Sequence, residues 1–385
     1  MNRDDRPASA AELTGELPRF VRDAMGRPVP VEEVDTLHEE DEATALALVD
    51  LGLDEQEARE AVRAGRVPLV LAQQVVGEKP RYDLDQLSRR SGVPASLLRE
   101  IRVASGLPLP ERFSRADLAW AKKLSKLLEV LPPEAVVRSA RARGTSLAMI
   151  VRSDLSSLRD ELILPLRQAG ADDLTVAVAL AETAKNLDDL ARELLVITYG
   201  LHLEHQLGSE VSASMTRSGA TEVDLALGFV DLVGWTSLSS RVDPEGLDSV
   251  LDAFEARVID VVVPETEVGV VKYLGDAVML VGPDVPTLAK VMLELTEPAD
   301  ELEDAPLRGG LAAGAVRIRE GDYYGAPVNL AARLTDLARP WSVLAAEEVG
   351  DELDADFETR RIRPVRIRGV GLRRPLSVRT REEAA

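Results

Sequence analysis

The 385-residue chain contains no cysteine. Disulfides, thiolate zinc sites and thiol nucleophiles are therefore excluded. Histidine is almost as scarce, with only His38, His202 and His205. That is too few for a His-rich metal centre and poor material for a Ser–His–Asp triad. No apolar run approaches the roughly 20 residues needed to span a bilayer. The N-terminus, Met1-Asn-Arg-Asp-Asp-Arg6, lacks the apolar stretch of a signal peptide. A surplus of positive charge is missing as well. The net charge is -21, which argues against an overall nucleic-acid surface. What is present, 45% apolar and 29% charged residues, suits a soluble globular protein of two or three domains. A cytoplasmic protein is expected.

Residues 1–35 are polar, with prolines at 7, 18, 28 and 30. They read as a flexible N-terminal arm with one short helix. From 36 to 207 the pattern is helical throughout. Segments such as Asp54–Ala64, Ala95–Ser105, Arg115–Leu131 and Asp172–Leu207 carry apolar residues three and four apart. Pro68, Pro94, Pro108, Pro110, Pro132, Pro133 and Gly170 punctuate them. The spacing predicts an all-α domain. Within it, Tyr82–Pro108 has helix–turn–helix spacing, with a turn at Gly92 and with Arg99 and Arg102 on the second helix. This stretch resembles the start of a MerR-like winged helix. DNA binding is one reading and a bundle-packing unit is the other. Acidic surroundings and the lack of a basic wing argue against a nucleic-acid partner.

The last helix of this domain carries Leu180, Leu187, Leu194 and Leu201 at seven-residue spacing, with Leu190 and Ile197 between them. Such a seam suits a parallel dimer contact or simple burial in the bundle. Gly200 weakens the helix near its end and is a candidate hinge. Residues 208–220 are rich in Ser, Thr and Gly and read as a linker.

After the linker, strands and helices alternate. Val223, Leu225, Leu227 and Phe229 alternate with Glu222, Asp224, Ala226 and Gly228, the pattern of a strand with one buried face. Asp231 closes it, followed by Leu232 to Thr236 and a helical pattern. A carboxylate at a strand end can take a hard cation, and the turn amides of Val233, Gly234, Trp235 and Thr236 can face phosphate oxygens. The same aspartate could equally be a turn former or an N-cap. A helix is expected over Asp243–Val261 and a hairpin within Val268–Val281 turning at Gly275-Asp276. Then follow a helix over Val285–Leu295, a strand over Leu307–Ile318 and a helix from Pro327. The Arg-rich tail, Arg360–Arg381, reads as a β-hairpin closing the sheet or as a basic surface for the acidic helical domain. Lys272 interrupts an otherwise apolar strand four residues before Asp276. Asn329 and Arg333 lie four apart on one side of a helix. Asp322 sits in a glycine-flanked turn before it.

Phe229–Ser240, Lys272–Met279 and Gly321–Leu334 resemble the catalytic motifs of class III nucleotidyl cyclases, three motifs in order across residues 221–380. The resemblance implies an α+β fold, with a ferredoxin-like palm catalytic domain over 221–385 behind the all-α domain. That helical domain is similar to the regulatory domain of soluble actinobacterial adenylyl cyclases. The family implies that Asp231 and Asp276 hold two divalent cations, Mg²⁺ or Mn²⁺. It implies that Lys272 and Asp322 select adenine, that Asn329 orients the ribose and that Arg333 stabilises charge on the α-phosphate. A guanine-selective member would carry Glu and typically Cys at the adenine-selecting places, and this chain has no cysteine. ATP is thus the implied substrate, with 3′,5′-cyclic AMP and pyrophosphate as products. Trp235 stands where the family commonly has Phe. The implied assembly is a head-to-tail homodimer, with the aspartates of one chain meeting Lys, Asp, Asn and Arg of the other. A guanylate cyclase, or a DNA-binding regulator with a nucleotide-sensing C-terminal domain, are the alternatives. His202 and His205 end the linker helix. They are either a pH switch, as the regulatory resemblance implies, or solvated helix-end residues facing the dipole.

Overall fold

The computed structural model of the chain describes residues 20–22, 28–30, 39–209, 211–212, 222–265, 267–302, 305–353 and 356–381. It divides into two compact units, Met1–Leu195 and Val196–Ala385. In the first unit, β1 (Phe20–Arg22) pairs antiparallel with β2 (Pro28–Pro30). The short helix expected in this arm lies outside the described residues, as do His38 and most of the 208–220 linker. Helices then follow one another: α1 (Glu39–Asp50), α2 (Glu55–Arg63), α3 (Val67–Val76), α4 (Leu84–Ser91), α5 (Ala95–Ala104), α6 (Arg115–Leu128), α7 (Pro133–Leu158), α8 (Leu164–Gln168) and α9 (Asp173–Gly208).

These helices build two separate cores. Leu48, Ala58, Ala61, Leu71 and Ala177 close one, bringing the start of α9 onto α1–α3. Leu87, Leu98, Ile101, Phe113, Leu124 and Val136 close the other, over α4–α7. The second contains the helix–turn–helix. Asp83 and Gln86 form a capping box at the start of α4, and Ser114 and Asp117 form another at the start of α6. Gly92 makes the turn at φ 78°, a left-handed conformation that glycine adopts without penalty.

Two expectations for this stretch change. Arg102, a candidate DNA contact, is 12% exposed and ion-paired with Asp117. Its Nε donates to the Pro108 carbonyl, and its guanidinium lies 5.3 Å from the centre of the Phe113 ring. It is part of the module's interior. The surroundings are also not acidic, since Lys and Arg outnumber Asp and Glu over residues 79–152. Burial opposes ionisation of Asp117, but hydrogen bonds from Ser114 and Arg102 hold its pKa below the ordinary value. Its contribution to stability is therefore present above the unfolded carboxylate pKa and lost as pH falls through the folded one. Replacing Asp117 with Ala leaves the enclosed Arg102 without its carboxylate partner, at a cost on the order of 3 kcal/mol. Thermal unfolding of the full chain should show this as a lowered transition of the helical unit.

The heptad seam of α9 is buried at Leu180 and exposed from Leu187 to Leu201. The helix runs through Gly200 without a break.

The second unit holds an eight-stranded sheet. Its principal path is β4-β5-β3-β6-β8-β12-β9, with β7 added beside β6. The elements are β3 (Val223–Leu232), α10 (Trp235–Leu238), α11 (Pro244–Val262), β4 (Gly269–Tyr273), β5 (Ala277–Gly282), α12 (Val285–Leu295), β6 (Leu307–Arg319), β7 (Asp322–Tyr324), α13 (Ala326–Leu337), β8 (Ser342–Ala345), α14 (Gly350–Leu353), β9 (Phe357–Arg361), β10 (Val365–Ile367), β11 (Gly371–Arg373) and β12 (Leu376–Thr380). The first four strands are neighbours in the order β4-β5-β3-β6, all antiparallel. Helices α11 and α12 make the two crossovers. This βαββαβ arrangement is the ferredoxin-like palm. In the Arg-rich tail, β12 joins the main sheet between β8 and β9, while β10 and β11 form a separate hairpin.

The central strand β3 is buried along most of its length. The glycines of β6 have a packing cause. A Cβ built on Gly310 would come within 2.3 Å of the Ala331 carbonyl oxygen and the Thr335 nitrogen. Only glycine lets α13 lie this close to the sheet backbone. Thr335 Oγ1 donates to the Phe229 carbonyl at 3.3 Å, pinning α13 over the end of β3.

Candidate active site

Strand β3 does not stop at Asp231, as the alternation suggested. It runs on to Leu232, and Asp231 sits opposite Ala277 on one side and Arg308 on the other. Asp276 occupies the β4–β5 turn beside it, and its carbonyl accepts from the Leu232 N–H at 2.9 Å. Gly275 supplies the positive φ of that turn. The sheet register therefore brings the two aspartates together, although 45 positions separate them in the sequence. Burial pushes the Asp231 carboxyl above its usual pKa; Arg308 pulls it down, and the charges of Asp276 and Asp336 raise it further.

Arg308 was not legible as a site residue. Its Nη2 and Nε donate to one oxygen of Asp231 at 2.7 and 3.2 Å, and its Nη1 donates to the Asp336 carbonyl. A signal was available, because Arg308, beside two glycines, interrupts the otherwise small and apolar first half of its strand. That is the same anomaly that singled out Lys272.

Lys272 and Asp322 lie 50 residues apart and meet in an ion pair. Their side chains are 38% and 27% exposed, so the pair is accessible from solvent. The Tyr323 N–H donates to the other Asp322 oxygen at 2.9 Å, which fixes the carboxylate plane. Strand β4 carries a register irregularity between Val270 and Lys272. Among the described residues no hydrogen bond or ion pair joins Lys272 or Asp322 to Asp231 or Asp276.

Asn329 and Arg333 project from α13 and are exposed. Asn329 reaches back to the Gly325 carbonyl at 3.4 Å, and Arg333 contacts Asp336 at 3.3 Å. One chain thus presents three clusters: an acidic pair backed by Arg308, a Lys–Asp pair, and an exposed amide and guanidinium on α13.

Of the four amides expected to face phosphate, that of Val233 is already used, donating to the Pro306 carbonyl at 2.8 Å. Gly234 adopts φ 78°, and Trp235 opens the single turn of α10. The amides of Gly234, Trp235 and Thr236 are the first-turn donors there. His202 and His205 are exposed on the last turns of α9. His205 also lines a cavity of about 350 Å³ against the palm.

Two carboxylates suit Mg²⁺ or Mn²⁺, hard ions that use one or two protein carboxylates and complete their shell with water and substrate phosphate oxygens. No group of three or more His, Cys, Asp or Glu forms a metal cage among the described residues. The donor set therefore matches a metal brought in with a phosphate ligand.

Residues 220–379 match the family described as the adenylate and guanylate cyclase catalytic domain. A pH-sensitive adenylate cyclase of Mycobacterium tuberculosis (strain CDC 1551 / Oshkosh) is 31% identical over 343 residues, covering 84% of each chain. An adenylate cyclase of Streptomyces coelicolor is 31% identical over 309 residues, covering 78% of this chain and 80% of its own. Among solved structures, the adenylyl cyclase CyaB of P. aeruginosa aligns with a TM-score of 0.37 at 19% identity, over 40% of this chain and 93% of that one. The chain belongs to the adenylate and guanylate cyclase family, the class III nucleotidyl cyclases. No described helix is long and apolar enough to cross a membrane.

Proposed function

We propose that the chain is an adenylate cyclase, converting ATP to 3′,5′-cyclic AMP and pyrophosphate at sites shared between two copies in a head-to-tail homodimer. The Lys272–Asp322 pair carries this reading. It sets a donor beside an acceptor, the complement of adenine N1 and its amino group. Guanine offers the reverse pattern, an N1–H donor and an O6 acceptor, which argues against the guanylate alternative. The adenylate cyclases among the relatives support the same substrate.

In this reading Asp231 and Asp276 hold two divalent cations. Such ions supply charge neutralisation at the triphosphate and ease loss of the ribose 3′-hydroxyl proton. Asn329 orients the ribose. Arg333 offers a fixed guanidinium to the charge that develops at the α-phosphate. The amides of Gly234, Trp235 and Thr236 face phosphate oxygens. Two observations support the dimer: Asn329 and Arg333 are exposed on α13, and the α9 seam is exposed from Leu187 to Leu201.

Regulation by pH through His202 and His205 belongs to the same proposal. His205 lines the same cavity as Glu267 and Tyr323. A protonated His205 is drawn toward Glu267, so acid favours a seated helix end. Cyclic nucleotide formation from ATP and GTP with Mn²⁺, followed across pH, tests both parts. Cyclic AMP should dominate, with activity rising toward acid, and the His202→Ala/His205→Ala variant should flatten that rise. Cyclic GMP as the main product would overturn the substrate, and an unchanged pH profile would overturn the switch.

A further inference from the structure

Val211 lies just past the end of α9, yet it belongs to the core of the palm. It is 5% exposed and clusters with the sheet side chains of that unit. The chain is held there by a serine turn, in which the Ser212 N–H donates to Ser209 Oγ at 3.2 Å and the Ser209 N–H donates to the Gln206 carbonyl. Val211 borders the cavity of about 350 Å³, whose far wall is Val270, Val271, Ile318, Gly321 and Tyr323.

Those wall residues are the chain neighbours of the Lys272–Asp322 pair. Val271 immediately precedes Lys272, and Gly321 and Tyr323 flank Asp322. In the sheet, Ile318 sits opposite Tyr323 and Arg319 opposite Asp322. The backbone is least regular at this point, because the β4–β5 register slips between Val270 and Lys272. An irregular ladder fixes a side chain less firmly than a continuous one. The partly empty space behind it makes the nearest packed side chain matter more.

We infer that Val211 is a positioning residue for base recognition: it seats the end of α9 behind the Lys272–Asp322 pair, and the seating sets the separation of the two side chains. The inference rests on these residues being the adenine-reading pair. It adds that the helix end acts on base recognition rather than on the metal-binding aspartates.

Val211→Ala enlarges the cavity and loosens the seat. The expected result is a rise in KM for ATP of about fivefold or more, with a smaller change in kcat, and a narrowed ATP-over-GTP preference. Val211→Ile adds one methylene toward the cavity, preserves the seat and should keep the wild-type KM and preference. It also serves as the informative variant if Val211→Ala does not fold. Val378→Ala, buried on β12 toward the sheet edge remote from β4, should lower stability while leaving KM and base preference unchanged. If Val211→Ala loses only stability or kcat, with KM and base preference intact, Val211 is merely a core residue and the inference fails. If Lys272→Glu combined with Asp322→Cys leaves selectivity unmoved, the underlying assignment fails instead, which separates the two.

Discussion

Two variants that are each inactive, Asp231→Ala and Arg333→Ala, should regain activity when mixed. One removes a holder of the divalent cations and the other the guanidinium at the α-phosphate, and each should lower turnover by roughly 10²–10³. If the site is shared between chains, the two lesions fall in different sites of a mixed dimer. One site then carries both defects and the other carries none. Equal mixing with free subunit exchange should restore about a quarter of wild-type activity, since half of the dimers are mixed and each has one intact site. Asp231→Ala mixed with Asp276→Ala should give no rescue, because both lesions lie in the same half-site. The chain also offers a rival geometry. Arg333 contacts Asp336, whose carbonyl accepts from Arg308, which in turn grips Asp231. If that intrachain relay were the working site, each chain would act alone and mixing would restore nothing. Cyclic AMP formation in the mixture, against each variant alone, decides between the two.

The palm was largely legible in the sequence, and the reason is its burial pattern. A central strand such as β3 must alternate or be wholly apolar, and the helices α11 and α12 fall within one or two residues of their expected bounds. Asp231 was legible as a residue and misread as a strand end, because the alternation stops where the sheet does not. Its true position depends on pairing with Ala277 and Arg308, and register is a nonlocal quantity that no short window contains. The Lys272–Asp322 pair illustrates the same limit. Lys272 looked anomalous in its strand and Asp322 did not, the resemblance alone paired them, and only the β4 and β7 placements bring them into contact across 50 positions. The Val233 amide failed as a phosphate donor for an equally nonlocal reason, its use by the Pro306 carbonyl. For Arg102 the sequence left DNA contact and bundle packing as alternatives, because helix–turn–helix spacing says which residues lie on the second helix but not which face is buried. The Phe113 ring and Asp117 settle that, and both lie beyond the motif.

Exchanging the base-reading pair, Lys272→Glu with Asp322→Cys, should invert the substrate preference. With ATP, the wild-type lysine donates to N1 and the aspartate accepts from the amino group. With GTP, the lysine meets the N1–H donor and the aspartate meets O6, so two contacts become repulsive or unpaired. A buried site that leaves its polar partners unmatched discriminates by roughly 10⁴–10⁵, and the partial exposure of this pair places it below that ceiling. In the double variant, the introduced carboxylate can accept from N1–H and the introduced thiol can stand near O6 without opposing charge. The ratio of kcat/KM for ATP over GTP should therefore fall by several powers of ten, with cyclic GMP becoming the main product. The single variants sharpen the test. Lys272→Glu alone sets two carboxylates together where an ion pair stood, and Asp322→Cys alone strands the lysine, so both should lose activity with either nucleotide. Recovery of turnover on GTP only when both changes are present would show that the two residues act as one reader. A double variant that still prefers ATP would mean that the base lies elsewhere and that the pair serves only to hold β4 against β7.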